Sequence, residues 1–333
     1  MAASLKDVAS LAGVSIKTVS NVVNDYPFVS AATRARVTAA LERLEYQPNL
    51  SARGLRTGRS NLIALAVPVL DEPYFAEIAS LVVDAAEQRG LTVLIDQTGG
   101  DRIRERQAAE GLRANLIDGS ITSPLAMTQK DISALARRRP IVLLGERFSA
   151  TGADHVAIDS VAAARDATTA LLELGRRRIA FIGADTKVNT AAQRLAGYEE
   201  ALASAGRPVD QKLIVRTGPF RRQQGYDAAV RLLALRRGPD AIFCLNDLMA
   251  LGAIRALLER GVRVPQDVAV MGVDDIEDGR FTSPTLSTVA PDKRAIAAIS
   301  VDLLALRIRG RSDDPPRDVA AGYRLVMRES TGS

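Results

Sequence analysis

Residues Ser4 to Asn24 read SLKDVASLAGVSIKTVSNVVN, and this stretch decides what the first part of the chain can be. Leu5, Val8, Ala9 and Ala12 recur at the spacing of one helix face. Ser4 is a good N-cap, and Asp7 three residues later gives that helix a capping-box-like start. Gly13 ends it, because glycine takes the left-handed backbone of a tight turn without steric cost. Ser15 caps a second helix, Ile16 to about Val23, with Val19 and either Val22 or Val23 inward. Ser30 caps a third, Ala31 to about Leu44, with Val37, Leu41 and Leu44 inward. Two short helices joined by a Gly-containing turn form a helix-turn-helix, whose second helix offers its first residues to the DNA major groove. The outward residues there are Ile16, Lys17, Thr18, Ser20 and Asn21, which mix base-reading and phosphate-bonding types. By pattern alone a generic three-helix bundle fits as well.

Charge separates this part from the rest. Residues 1–60 hold eight basic against four acidic side chains, so they carry +4 of the whole chain's +5. A basic small segment on a nearly neutral large one points to a polyanion partner for the first part alone. The chain of 333 residues, 47% hydrophobic, is long enough for two or three domains. No apolar run reaches the ~18 residues needed to span a bilayer, so no membrane partner is expected. The N-terminus lacks the basic and then apolar stretches of a signal peptide. One cysteine, Cys244, and one histidine, His155, provide neither an internal disulfide nor a zinc cluster. A cytoplasmic protein without a metal is expected.

From Asn61 the pattern changes to apolar runs alternating with amphipathic helices. The runs include Leu62–Val69, Leu91–Ile95, Leu116–Ile121, Ile141–Leu144, Ile179–Gly183, Ala241–Leu245 and Val268–Gly272. Helices are expected at Ala76–Arg89, Val161–Leu174, Gln193–Ala205, Leu248–Arg260 and Arg294–Ile308. Such alternation implies an α/β fold with parallel sheets covered on both faces, and two Rossmann-like halves fit the length. The first strand is not followed by G-x-G-x-x-G, so no dinucleotide cofactor is expected. Nucleophile elbows, metal-ligand spacings and phosphate loops are absent, which argues against an enzyme. Cys244 reads as a buried small hydrophobe, and Arg137-Arg138-Arg139 and Arg176-Arg177-Arg178 as solvated helix ends.

The residues resemble one family closely. Asp7-Val8-Ala9, Ala12-Gly13-Val14-Ser15, Thr18-Val19-Ser20, Val29-Ser30, Tyr46-Gln47-Pro48-Asn49 and Leu55-Arg56-Thr57-Gly58 are similar to the headpiece of the lactose-repressor (LacI/GalR) family. Tyr74-Phe75-Ala76-Glu77-Ile78, Arg194-Leu195-Ala196-Gly197-Tyr198, Asn246 to Gly252, Gly272-Val273-Asp274-Asp275 and Met327 to Gly332 extend the likeness over nearly the whole chain. The resemblance implies an all-α helix-turn-helix headpiece (1–48), a hinge helix and linker (49–60), and a two-lobed periplasmic-binding-protein-like domain (61–333). Lobe one would take about 61–159 and 290–321, and lobe two about 160–289 and 322–333.

Residue roles follow from the same likeness. Ile16, Lys17 and Asn21 take the base-reading positions, and Asn21 departs from the arginine many members carry there. Asparagine reads adenine more naturally than guanine. Ser4, Ser15, Thr18, Ser20, Asn24, Ser30, Thr33, Tyr46 and Asn49 take phosphate or backbone positions. Leu55, between Arg53 and Arg56, would be an apolar wedge in the minor groove. Phe75, Arg147, Arg194, Phe220, Asn246 and Asp274 would line an effector cleft between the lobes.

A repressor follows, acting as a homodimer on double-stranded operator DNA and controlled by a small-molecule effector, a sugar or sugar derivative first. A nucleobase or nucleoside is the alternative, since Phe75 and Phe220 would suit a flat ring. A sugar-binding protein without DNA binding would need no headpiece. No leucine heptad follows Ser330, so a tetramer held by a C-terminal coiled coil is not expected.

Overall fold

A computed structural model describes residues 3–23, 26–46, 59–111, 117–145, 151–184, 189–310 and 314–332. The expected roles of Asn24, Asn49, Leu55 and Arg147, and the hinge helix itself, lie outside the described residues.

Ser4 opens helix α1 (Leu5–Ala12) with a reciprocal cap: its N–H donates to Asp7 Oδ2 at 2.8 Å, and its hydroxyl accepts from the Asp7 N–H. Gly13 closes the helix at φ 61°, in the left-handed region. Helix α2 (Ile16–Val23) starts with the Thr18 N–H donating to Ser15 Oγ at 3.1 Å. Helix α3 (Ala31–Arg43) starts with the Thr33 N–H donating to Ser30 Oγ at 3.3 Å. Val8, Ala9, Ala12, Val19, Val22, Val37 and Ala40 form the buried centre. Val22 is therefore the inner residue and Val23 only packs beside it. Leu41 and Leu44 are also partly buried rather than central. Residues 1–60 form one compact unit and residues 61–333 another.

The second unit contains two six-stranded sheets. Sheet one is built from β1 (Leu62–Val67), β2 (Thr92–Gln97), β3 (Gly119–Thr122), β4 (Ile141–Leu144), β5 (Asp154–Ile158) and later β11 (Asp318–Ala321), in the order β11-β5-β4-β3-β1-β2. Helices α4 (Pro73–Glu87), α5 (Arg102–Glu110) and α6 (Gln129–Ala136) connect its first strands. Sheet two is built from β6 (Ile179–Ile182), β7 (Ile214–Val215), β8 (Ala241–Cys244), β9 (Ala269–Val273), β10 (Ser287–Pro291) and β12 (Tyr323–Val326), in the order β12-β10-β9-β8-β6-β7. Its helices are α7 (Ser160–Glu173), α8 (Asn189–Ser204), α9 (Arg222–Leu233), α10 (Asp247–Glu259) and the short α11 (Asp278–Phe281). Helix α12 (Lys293–Ile308) returns to sheet one, packing Ile296, Ala297, Val301 and Leu304 into the same core as Ile78 and Val82 of α4.

All pairings are parallel except β10 with β12. Strands such as β4, β6 and β8 are buried along their whole length, which is why they read as unbroken apolar runs. The chain changes sheets after β5, after β10 and after β11. A lobe boundary at residue 290 falls inside β10, which keeps its pairing through Pro291. Strands β5, β7, β10, β11 and β12 are not among the apolar runs singled out from sequence; β11, for example, starts with Asp318 and is largely exposed. In lobe two, α9 and α10 touch backbone to backbone. A Cβ on Gly252 would lie 1.9 Å from the Arg222 carbonyl oxygen, and one on Gly225 2.1 Å from that of Met249.

Candidate functional site

Two surfaces carry chemistry, one in each unit. On the headpiece, α2 exposes Ile16 and Lys17, with Asn21 half-buried on the same helix. Ser4, Ser15 and Ser30 sit at helix N-termini, where backbone N–H groups and the helix dipole favour an anion such as phosphate. Their hydroxyls are already engaged locally, Ser15 with Thr18 at 2.9 Å and Ser30 with Thr33 at 2.9 Å. Ser20 is half-buried on α2, and Tyr46 packs on the headpiece core. Sequence reasoning passed over Tyr26 and Phe28, an edge-to-face pair with ring centroids 5.6 Å apart. Phe28 is 84% exposed and so lies outside the headpiece core.

The second surface is a cleft of about 500 Å³ between the two sheets' carboxyl ends. Phe75, Arg194, Phe220, Asn246 and Asp274, drawn from both lobes, all line it. This is where parallel α/β sheets place ligands, because the loops leaving the strands converge there. Pro68, Val69, Ile78, Leu125, Leu144 and Pro219 make most of its wall apolar.

Each polar group has a local reason for its position. Asp274 leaves the end of β9 with φ 118°, a conformation that L side chains rarely adopt. Its N–H donates to the Val289 carbonyl at 2.9 Å, while its carboxylate has no hydrogen bond among the described residues. Burial raises that carboxyl to about 7, against the opposing pull of Arg194 and Lys293, with Glu72 adding to the rise. Arg194, on α8, donates through Nη1 to the Leu245 carbonyl. Its Nε is buried and has no partner among the described residues. Asn246 caps α10 by accepting from the Met249 N–H at 3.0 Å and donates to the Phe220 carbonyl at 3.0 Å. Much of its bonding capacity thus goes to shaping the wall and holding the Phe220 segment.

Sequence reasoning missed Tyr74, Glu72 and Arg221. Tyr74 lines the cleft beside Phe75, and burial, with Asp274 nearby, keeps its phenol protonated well above the usual range. Arg221 of lobe two forks onto Asp71 of lobe one at 2.8 and 2.9 Å, and lies 3.5 Å from Glu72. The pair closes one side of the cleft. Neither partner stands out in sequence, because they are 150 residues apart.

Behind the cleft lies a buried polar cluster. Thr288 Oγ1 donates to Asp247 at 2.7 Å, and the Ile276 N–H does so at 3.0 Å. Burial, reinforced by Asp274, pushes the Asp247 carboxyl well above its ordinary range. Lys293 of α12 donates to Glu77 of α4 and, at 3.1 Å, to the Asp275 carbonyl. Burial would raise the Asp275 carboxyl, but hydrogen bonds from Arg328 at 2.6 Å and Arg280 at 2.9 Å hold it below its ordinary range. Cys244 is buried in the core of lobe two, and burial pushes its thiol far up. No helix among the described residues is long and apolar enough to cross a membrane.

A helix-turn-helix unit chained to a two-lobed ligand cleft defines a DNA-binding transcriptional regulator controlled by a small molecule. Comparison with known proteins agrees. Residues 4–49 match the model of bacterial regulatory proteins of the lacI family, and residues 168–331 match a periplasmic binding protein-like domain. The ribose operon repressor of Haemophilus influenzae is 34% identical over 329 residues, 98% of each chain. The HTH-type transcriptional repressor PurR of Histophilus somni is 33% identical over 331 residues, again 98% of each chain. The crystal structure of the lac repressor dimer bound to operator and the anti-inducer ONPF superposes with a TM-score of 0.89 at 30% identity, covering 99% of both chains. The chain belongs to the LacI family of transcriptional regulators.

Proposed function

We infer that this regulator is a cytoplasmic repressor, without catalytic activity, whose grip on operator DNA is set by a neutral hydroxylated ring bound in the cleft. The observation that carries this reading is the open pair on the cleft: the Asp274 carboxylate and the Arg194 Nε, both without hydrogen-bond partners among the described residues. An acceptor and a donor so placed suit adjacent sugar hydroxyls, while Phe75 and Phe220 offer apolar faces to the ring carbons. The ribose operon repressor among the relatives supports a sugar or sugar derivative. Tyr74 and Phe75 on one lobe and Phe220 on the other favour a nucleobase or nucleoside as the second reading. Calorimetric titration with pentoses, hexoses, nucleosides and free bases tests both. Heat with a sugar and none with a base sustains the first, and the converse pattern replaces it with the second.

On DNA, Ile16, Lys17 and Asn21 read bases and the helix N-termini hold phosphates, while Asn24, Asn49 and the Leu55 wedge act from residues not described here. Arg147 is retained as a cleft residue on resemblance alone. A homodimer places two reading helices on two half-sites. Its contact face would include β2, an edge strand of sheet one, where Leu94 and Ile95 are 46% and 44% exposed, and Val83 of α4 at 38%.

A further inference from the structure

The body, residues 61–333, carries a net charge of only +1, yet its cations are not spread evenly. Two grooves flank the C-terminal end of α6 on lobe one. One is lined by Arg102, Arg106 and Lys130 with Glu110 and Asp131. The other is lined by Arg139 and Arg307 with Asp154. Arg137 and Arg138 line both and are exposed. Seven cations thus face three carboxylates along one ridge. From sequence, Arg137-Arg138-Arg139 reads as a solvated helix end. A helix C-terminus does attract cations, but α6 has eight residues, and its dipole does not account for side chains drawn in from α5 and α12.

Elsewhere the chain spends comparable arginines on structure. Arg176 donates to the Pro265 carbonyl at 2.6 Å, and Arg178 to the Arg237 and Gly238 carbonyls at 2.8 and 3.1 Å. On the ridge, Arg102 forks onto Asp131, and Arg307 onto Asp154. The guanidinium groups of Arg137 and Arg138 have no hydrogen-bond or ion-pair partner among the described residues.

The ridge also has a definite place in the fold. The Asp118 N–H donates to the Leu62 carbonyl at 2.8 Å and the Ser120 N–H to the Pro140 carbonyl at 3.1 Å, so the starts of β1, β3 and β4 lie side by side. Arg139 and Pro140 are therefore two strand spacings, about 10 Å, from the point where β1 begins. That point follows directly on the segment leading from the helix-turn-helix unit. Because the chain enters the body at residue 61, DNA held by the first unit is tethered to the body through that residue, and tethering raises its effective concentration at the body's surface.

We propose that the Arg137–Arg138 ridge is an auxiliary, sequence-independent contact for the phosphates of duplex DNA flanking the bound operator. Base reading needs an element inserted in a groove, whereas phosphate contact needs only exposed donors, which Arg137 and Arg138 offer at the end of α6. The proposal goes beyond the operator reading by the headpiece and rests on it. Its test uses the full chain and a duplex that this chain selects from a random library. The duplex is made at minimal length and again with about two helical turns, ~20 base pairs, added on each side. The wild type should bind the longer duplex more tightly, with a steeper fall of log K against log salt. The double variant R137Q/R138Q should lose that difference, its slope on the long duplex shrinking by up to ~2, or ~0.9 per lost phosphate contact. Its binding to the minimal duplex should stay unchanged, which keeps headpiece reading separate from the ridge. Equal affinity and slope for both proteins on the long duplex overturn the proposal. So does an equal loss on both lengths, which would mean a general effect on folding or charge. Unchanged DNA binding together with lost salt-sensitive binding of polyglutamate would assign the ridge to an acidic protein and overturn it as well.

Discussion

In the helix-turn-helix unit the bonds that set each helix in place span three residues: Ser4 with Asp7, Ser15 with Thr18, Ser30 with Thr33. In the cleft they span far more. Asn246 holds Phe220 across 26 residues, Arg194 holds Leu245 across 51, Arg221 meets Asp71 across 150, and Lys293 meets Glu77 across 216. Short-range bonds form from sequence rules alone, so the reading helix needs little beyond its own caps and a small apolar centre. The cleft exists only when two sheets and three crossings are in register. A change that loosens lobe two should therefore silence the effector while leaving the headpiece able to fold.

The largest expected effect tests the cleft side of that contrast. Asp274→Ala removes the carboxylate proposed to accept from two ligand hydroxyls, at ~1.5–3 kcal/mol for each charge-assisted bond, so effector affinity should fall by at least ~100-fold. Operator binding without effector should stay near that of the parent. Calorimetry with effector and anisotropy with operator DNA check the two halves, and an Asp274→Ala protein that still responds would falsify the cleft assignment.

The same residue predicts a pH dependence. Its folded pKa of about 7 lies above the ordinary carboxylate value, so ionisation works against the ligand-free folded state. Stability from this group is full below the unfolded value near 4 and is lost as pH rises toward about 7. The melting temperature of Asp274→Asn should thus gain on the parent between pH 5 and pH 8. Two hydroxyl donors bind the ionised form more strongly than the neutral one, so the parent's effector affinity should rise with pH up to about 7 and then level off. A flat affinity profile from pH 5 to pH 8 would remove the ionised carboxylate from the site.

Gly252→Ala probes how far the cleft depends on packing elsewhere in lobe two. The added methyl must displace the Arg222 carbonyl, and overpacking of this kind costs about 1–3 kcal/mol. Denaturant unfolding should show the loss in the body, together with weaker effector binding and an unaltered headpiece. Asn21→Ala works on the other unit. It should relax base preference at one position per half-site by about 1–3 kcal/mol, and a library selection that returns the parent's motif would sink the base-reading role. The smallest effect belongs to Ser15→Ala, which removes the hydroxyl that caps α2 and should cost about 1 kcal/mol of headpiece stability. Because the unit borrows nothing from distant residues for that cap, the cleft's ligand affinity should not move.

The sequence by itself determined the three headpiece helices, their caps, the alternation of strands and helices, and the residues on the reading helix. Each of these rests on spacing within one or two helical turns or one strand, where side-chain period and capping chemistry act directly. Resemblance named five residues that the fold brings to one cavity, but not the state of their bonds. Only the tertiary structure decided that Asn246 spends its amide on Met249 and Phe220, that the Asp274 carboxylate, at φ 118°, has no hydrogen-bond partner among the described residues, and that Arg221 clasps Asp71 across the lobes. It also showed that two runs alike in sequence use their arginines unevenly, tying Arg139, Arg176 and Arg178 to backbone carbonyls and leaving Arg137 and Arg138 on a ridge without ion-pair partners among the described residues. A charged side chain's partner is set by what folds against it, and that is a property of the two sheets and their crossings rather than of its neighbours in the chain.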